Sequence, residues 1–225
     1  MILTISAEMW SEIATGFWQT IYMTLVSTAL AYAIGIPVGV ILHVTSKEGI
    51  KPNKIINFIV GLIVNILRSV PFLILAVYII PFTRLIVGSS IGTTAMLVPL
   101  IVSAAPYIAR LVESSLKEVD AGKIEAAEAM GSSKMQIVTK VLLPEAKPSL
   151  IIGAAIATAT ILGCTAMAGF IGGGGLGDIA LRYGYHRYQS EVMLVAIIIL
   201  IVIVQVFQEI GMFISKKIDK RIRKN

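Results

Sequence analysis

Long apolar runs alternate with short clusters of charge, glycine and proline along this chain. The runs lie at about 18–42, 55–80, 91–109, 149–171 and 192–214, and each approaches or exceeds the roughly 20 helical residues that cross ~30 Å of hydrocarbon. The pattern predicts an all-α polytopic membrane protein with five transmembrane helices, one transmembrane domain over residues 1–225. The third run carries Thr93, Thr94, Pro99, Ser103 and Pro106, so it is expected to face other helices that satisfy its freed backbone groups. In the second, Asn57, Gly61, Asn65, Arg68 and Ser69 recur at three- or four-residue spacing and make one polar helix face that lipid should not see. Asn65, Arg68 and Ser69 are thereby candidates for lining a pathway. A structural Arg68, pairing with carbonyls or snorkelling outward, stands beside that reading.

Composition agrees: 56% of residues are hydrophobic and 14% charged, with mean hydropathy +0.87, well beyond a water-soluble domain. Residues 1–17 hold no Lys or Arg but do hold Glu8 and Glu12, unlike a secretory signal, so the first run is expected to be retained. Cys164, the single cysteine, excludes an internal disulfide framework and reads as a small packing residue.

Basic residues cluster in alternate connections. Lys47, Lys51 and Lys54 follow the first run. Arg110, Lys117, Lys123, Lys134, Lys140 and Lys147 follow the third, and Lys216, Lys217, Lys220, Arg221, Arg223 and Lys224 follow the fifth. The other side has Arg84, Arg182 and Arg187. The positive-inside rule then predicts an outer N-terminus, a cytoplasmic C-terminus and a cytoplasmic loop at about 110–148. The net charge of +6 lies largely beside the last span, which suits anionic lipid headgroups and argues against nucleic acid.

That loop reads as an ordered surface. Asp120 is placed to cap a helix over about 121–130, Gly131 to end it with a left-handed residue, and Ser133 with Gln136 to open a second helix through a capping box. Pro144 and Pro148 are expected to interrupt the chain before the fourth span. Ala126, Ala127, Ala129 and Met130 should expose a shallow apolar surface for another protein. Good helix composition alone explains Glu125 to Ala129; the added Gly131 and Leu143-Pro144 spacing favours docking. Glu125 and Glu128 have no His, Lys or metal motif beside them and are not read as a catalytic pair.

Near the end of the fourth run stand Gly163, Cys164, Met167 and Gly169, followed by Gly172 to Gly175 and Gly177. Small residues allow close helix approach, and an unbranched Met167 could close a narrow passage or simply fill a core. The glycines formally satisfy a dinucleotide fingerprint but lack its strand and acidic partner, so a flexible or re-entrant outer turn is expected. Gly35 and Gly39 suggest a helix contact in the first run, with Pro37 between them. His43 and His186 read as interfacial residues, and no metal site is expected. No phosphate-binding loop occurs, so ATP would be hydrolysed by another chain.

The Glu125-Ala126-Ala127 triplet, Gly131 and the Val141-x-Leu143-Pro144 ending resemble the coupling loop of bacterial ABC importer membrane subunits. With Arg68 to Phe72, Ile80 to Arg84, Ala104 to Arg110 and Met135 to Val138, the chain is similar to the permeases of methionine-uptake ABC importers. The resemblance implies a type I ABC importer permease fold with a cytoplasmic coupling helix. It implies a homodimer in a bacterial inner membrane, two ATPase subunits that carry ATP and Mg, and an extracytoplasmic methionine-binding lipoprotein. L-methionine, with D-methionine or derivatives, would be the cargo, moved by alternating access. The implied coupling residues are Glu125, Ala126, Ala127, Ala129, Met130, Gly131, Leu143 and Pro144, and the implied gate residue is Met167; this chain would hold no catalytic residue or cofactor. The alternatives are a permease for another amino acid, an ion-coupled transporter, and a membrane scaffold. Against the second, five spans do not divide into equal halves, and the expected spans hold a single acidic residue, Glu209.

Overall fold

The computed structural model describes residues 6–218, so Lys220, Arg221, Arg223 and Lys224 of the basic C-terminal cluster lie outside the described residues. The helices are α1 (Ala7–Thr45), α2 (Lys54–Ser69), α3 (Phe72–Tyr78), α4 (Ile80–Val87), α5 (Thr93–Lys117), α6 (Ala121–Ala129), α7 (Lys134–Ile137), α8 (Leu143–Ala168), α9 (Gly175–Ile179) and α10 (Ser190–Ile218). Four helical stretches are long and apolar enough to cross a membrane, and a fifth span results if the bent pair α2 and α3 counts as one.

The helices correct several expected boundaries. Residues 55–80 are not one helix. Pro71 offers no N–H and disfavours helical backbone at Val70, so α2 stops at Ser69 and α3 restarts at Phe72. The first and third helices run longer than the apolar runs: α1 takes in Glu12, and α5 takes in Glu113. Acidic residues therefore do lie within membrane-length helices. Glu12 is paired with Arg182 and Glu113 with Arg110 and Lys117, and pairing is what lets those two carboxylates stand there.

Pro144 and Pro148 do not interrupt the chain either. From Lys134 the helix continues through a widened turn at Val138–Leu142 into α8. There Leu143 N–H bonds the Val138 carbonyl, five residues back. The wider turn absorbs the donor that Pro144 lacks and keeps its ring off the preceding turn.

The chain forms two compact units. One comprises residues 1–30, 70–104 and 158–208; its core gathers Ile13, Leu162, Leu176, Ile179, Tyr183 and Val192. The other comprises residues 31–69, 105–157 and 209–225, with Leu42, Val64 and Ala109 in its core. In the second, Gly35 and Gly39 abut α5: a Cβ on Gly35 would meet Ile108, and one on Gly39 would meet Val112 and the Ala109 carbonyl. The small residues let two backbones approach, as that spacing suggests. His43, expected at an interface, is instead buried.

Candidate coupling element and translocation path

The coupling element follows from its capping residues. Asp120 accepts a hydrogen bond from Gly122 N–H at 2.7 Å and opens α6. At the other end Gly131 takes φ +77°, with Gly131 N–H bonding the Glu128 carbonyl at 2.9 Å and Ser132 N–H the Ala127 carbonyl at 3.0 Å. This is a Schellman closure, which needs a left-handed residue at that position. Ser133 and Gln136 then cap α7 reciprocally, at 3.3 and 2.8 Å.

Two ion pairs, Lys134 with Glu128 and Lys123 with Glu145, fasten α6 to its neighbours. Ala127, Ile137 and Leu142 are buried beneath it. Ala127 was expected on the apolar surface; it faces inward because the helix turn that exposes Ala126 and Ala129 directs Ala127 the other way. Glu125, Ala126, Ala129, Met130, Gly131 and Pro144 are exposed, and Leu143 is half-buried. Met135 is 71% exposed beside Met130 at 80%. The sequence reading used it only within the Met135 to Val138 stretch, because a lone methionine in a short helix carries no pattern, although its place four residues after the helix-ending Gly131 was a usable signal.

The polar face of α2 is largely occupied by protein. Asn57 Nδ2 donates to the Leu42 carbonyl at 2.7 Å and to Thr45 Oγ1 at 3.1 Å. Arg110 Nη2 donates to Asn65 Oδ1 at 2.8 Å and to the Gly61 carbonyl at 3.3 Å, while its Nη1 meets Glu113 at 2.6 Å. Lys117 Nζ reaches the other Glu113 oxygen at 2.7 Å. Asn65 thus anchors Arg110, whereas Arg68 and Ser69 are exposed. The Arg110–Glu113–Lys117 node was missed as a unit, though its spacing places all three on one helix face.

Met167 lies near the end of α8, 46% exposed, in the unit that does not contain Asn65, Arg68 and Ser69. Its neighbour Gly163 has nothing within 4 Å of where a Cβ would stand. Beyond α8, the glycines expected to make a flexible or re-entrant turn form an ordered one. Gly172, Gly174 and Gly175 take positive φ, a conformation that allows the chain to double back: Gly173 N–H bonds the Ala168 carbonyl at 2.9 Å. Gln19 and Thr20 of α1 then accept from Gly175 and Leu176 N–H at 2.8 and 2.9 Å, and so cap α9 from outside. Further along, Tyr183 Oη donates to Glu12 at 2.8 Å, and that carboxylate raises the Tyr183 pKa and keeps the phenol a donor.

A helical chain with an ordered, capped loop between membrane-length helices defines the class: a polytopic helical membrane protein. Residues 35–224 match the model of the binding-protein-dependent transport system inner membrane component family. The chain is 52% identical over 207 residues to the probable D-methionine transport system permease protein MetI of Vibrio cholerae, covering 92% of each. It is 43% identical over 211 residues to the methionine import system permease protein MetP of Bacillus subtilis, covering 94% of this chain and 95% of that one. A solved structure of the MetNI methionine ABC transporter in inward-facing conformations superposes with a TM-score of 0.94 at 47% identity, covering 96% of this chain and 100% of that one. The chain belongs to the binding-protein-dependent transport system inner membrane component family. Its fold is that of a type I ABC importer permease, and it is a multi-pass inner-membrane transport component.

Proposed function

We propose that this chain forms the membrane pathway of a methionine ABC importer. The observation that carries the reading is near-full-length likeness to permeases whose names specify methionine, combined with the capped α6–α7 element. Two copies would pair, bind two ATPase subunits on the cytoplasmic side, and receive L- or D-methionine from an extracytoplasmic binding lipoprotein. ATP and Mg would sit on the ATPase subunits.

The orientation is N-terminus outside and C-terminus inside, supported by the charge asymmetry of the connections. Glu125, Ala126, Ala129 and Met130 meet the ATPase surface. Ala127 and Leu143 brace that contact from within, and Gly131 and Pro144 fix its entry and exit. As the ATPases approach, this closed element moves as a piece and biases the helices between inward-open and outward-open states. Arg68, Ser69 and Met167 line the path, while Asn65 positions Arg110.

The test is uptake of labelled L-methionine into vesicles that hold the assembled complex and binding protein, with D-methionine and other amino acids as competitors. ATP-dependent uptake that methionine alone competes is expected; no methionine uptake, with ATP-dependent uptake of another labelled amino acid by the same vesicles, would reassign the cargo. Met167→Ala is expected to raise ATP hydrolysis per methionine delivered, because the shortened side chain leaves the passage unsealed. A ratio equal to wild type would make Met167 core filler.

A further inference from the structure

Between Tyr185 and α10 the backbone is strained at an unexpected residue. Tyr188 takes φ +58°, and among the described residues no other non-glycine has positive φ. A bulky aromatic is disfavoured there. Its ring gains nothing in return from this chain, being 91% exposed. The conformation persists because both flanks are pinned: His186 N–H bonds the Leu181 carbonyl at 2.9 Å, and Gln189 N–H bonds the Tyr183 carbonyl at 3.1 Å. Tyr183 is held in turn by Glu12. Strain that the surroundings over-determine, at an exposed side chain, points to a role outside the chain itself.

The charges beside Tyr188 differ in availability. Arg182 and Arg187 lie over the Tyr183 ring, at 4.9 and 4.7 Å. Arg182 is engaged by Glu12 and Asp178, whereas Arg187 makes no ion pair among the described residues. A cavity of about 440 Å³ opens next to the loop, lined by Ser6, Met9, Tyr188, Gln189, Ser190 and Glu191 among others. Its wall is rich in hydrogen-bonding groups.

We propose that Arg187 and Tyr188 form a docking post for the extracytoplasmic binding protein, with Arg187 meeting a carboxylate on that partner and the Tyr188 ring seated against its surface. The inference rests on the import reading above. A partner protein suits the loop better than lipid does. An interfacial tyrosine anchor needs no left-handed backbone, and a polar-walled cavity offers acyl chains little. Exposed Tyr and Arg on a rigid support are also the residue types that dominate protein interfaces. Because Glu191 lines the cavity, the acidic contact falls on Arg187.

The test uses the full complex with its ATPases in nanodiscs of zwitterionic lipid, titrated with methionine-loaded binding protein, reading the concentration that half-saturates ATP hydrolysis. Arg187→Glu and Tyr188→Gly are expected to raise that concentration by about tenfold or more, with Tyr188→Phe near wild type. Raising salt should narrow the Arg187→Glu difference. Glycine accepts φ +58° without strain, so Tyr188→Gly should unfold no earlier than wild type, which separates loss of the ring from loss of the fold. Unchanged half-saturation in both variants overturns the post while leaving import intact. A shift that requires anionic lipid in the nanodisc reassigns the loop to headgroups and overturns it too. A wild-type complex that the binding protein does not stimulate overturns both readings.

Discussion

Gly131→Val will uncouple ATP hydrolysis from uptake. Valine at φ +77° brings its Cβ against the following carbonyl, at about 1–2 kcal/mol for an ordinary side chain and more for a β-branched one. Nothing lies within 4 Å of where a Cβ would stand, so the effect is backbone strain and not a clash with neighbours. Relief of that strain opens the Schellman closure and changes the angle between α6 and α7. A penalty of about 2 kcal/mol in docking geometry corresponds to more than tenfold weaker ATPase association. Gly131→Asn, which tolerates left-handed backbone, should retain most activity. ATP-dependent uptake and ATPase copurification measure both variants. A valine variant that copurifies and transports like wild type would refute the assignment of this turn to coupling.

Arg110→Ala will destabilise the permease by about 3 kcal/mol, the lower end for removing one partner of a buried pair. The Glu113 side chain is only 8% exposed and would be left to Lys117, which is itself 57% exposed. Asn65 Oδ1 and the Gly61 carbonyl would also lose their donor. Arg110→Lys should recover only part of the loss, because an ammonium does not reproduce the planar fork that reaches α2 and Glu113 together. Arg110→Ala combined with Glu113→Leu should be more stable than Arg110→Ala alone, since it removes a buried carboxylate left with only the exposed Lys117 as partner. Thermal unfolding in detergent reads all three. A double variant no more stable than the single one would show that Glu113 is not the burdened group.

The capped α6–α7 element was legible in the chain because capping is local chemistry. Asp120, Gly131, Ser133 and Gln136 act within a few residues of themselves, and all four take the expected roles. What failed was local chemistry whose outcome depends on register. Pro144 and Pro148 promise a break wherever the helix is strictly regular; a widened turn at Val138–Leu142 removes the conflict at Pro144, and Pro148 stands inside α8. Ala127 faces inward for a similar reason, since which alanine of a uniform helix is covered depends on what packs against it. For the glycines after α8 composition left a flexible or a re-entrant turn open, and Gln19 and Thr20, 156 residues earlier in both cases, supply the caps that fix an ordered one.

By itself, then, the sequence determined the class, the approximate spans and the capped element, because hydropathy and capping each act over a turn or a membrane thickness. Tertiary structure alone decided the rest. It turned the polar face of α2 into an anchor for Arg110, bolted the glycine turn to α1 and set Tyr188 in a strained, exposed pose. The first two outcomes rest on hydrogen bonds between residues far apart in the chain, and the third on bonds across an irregular turn, whose pairing no local pattern encodes.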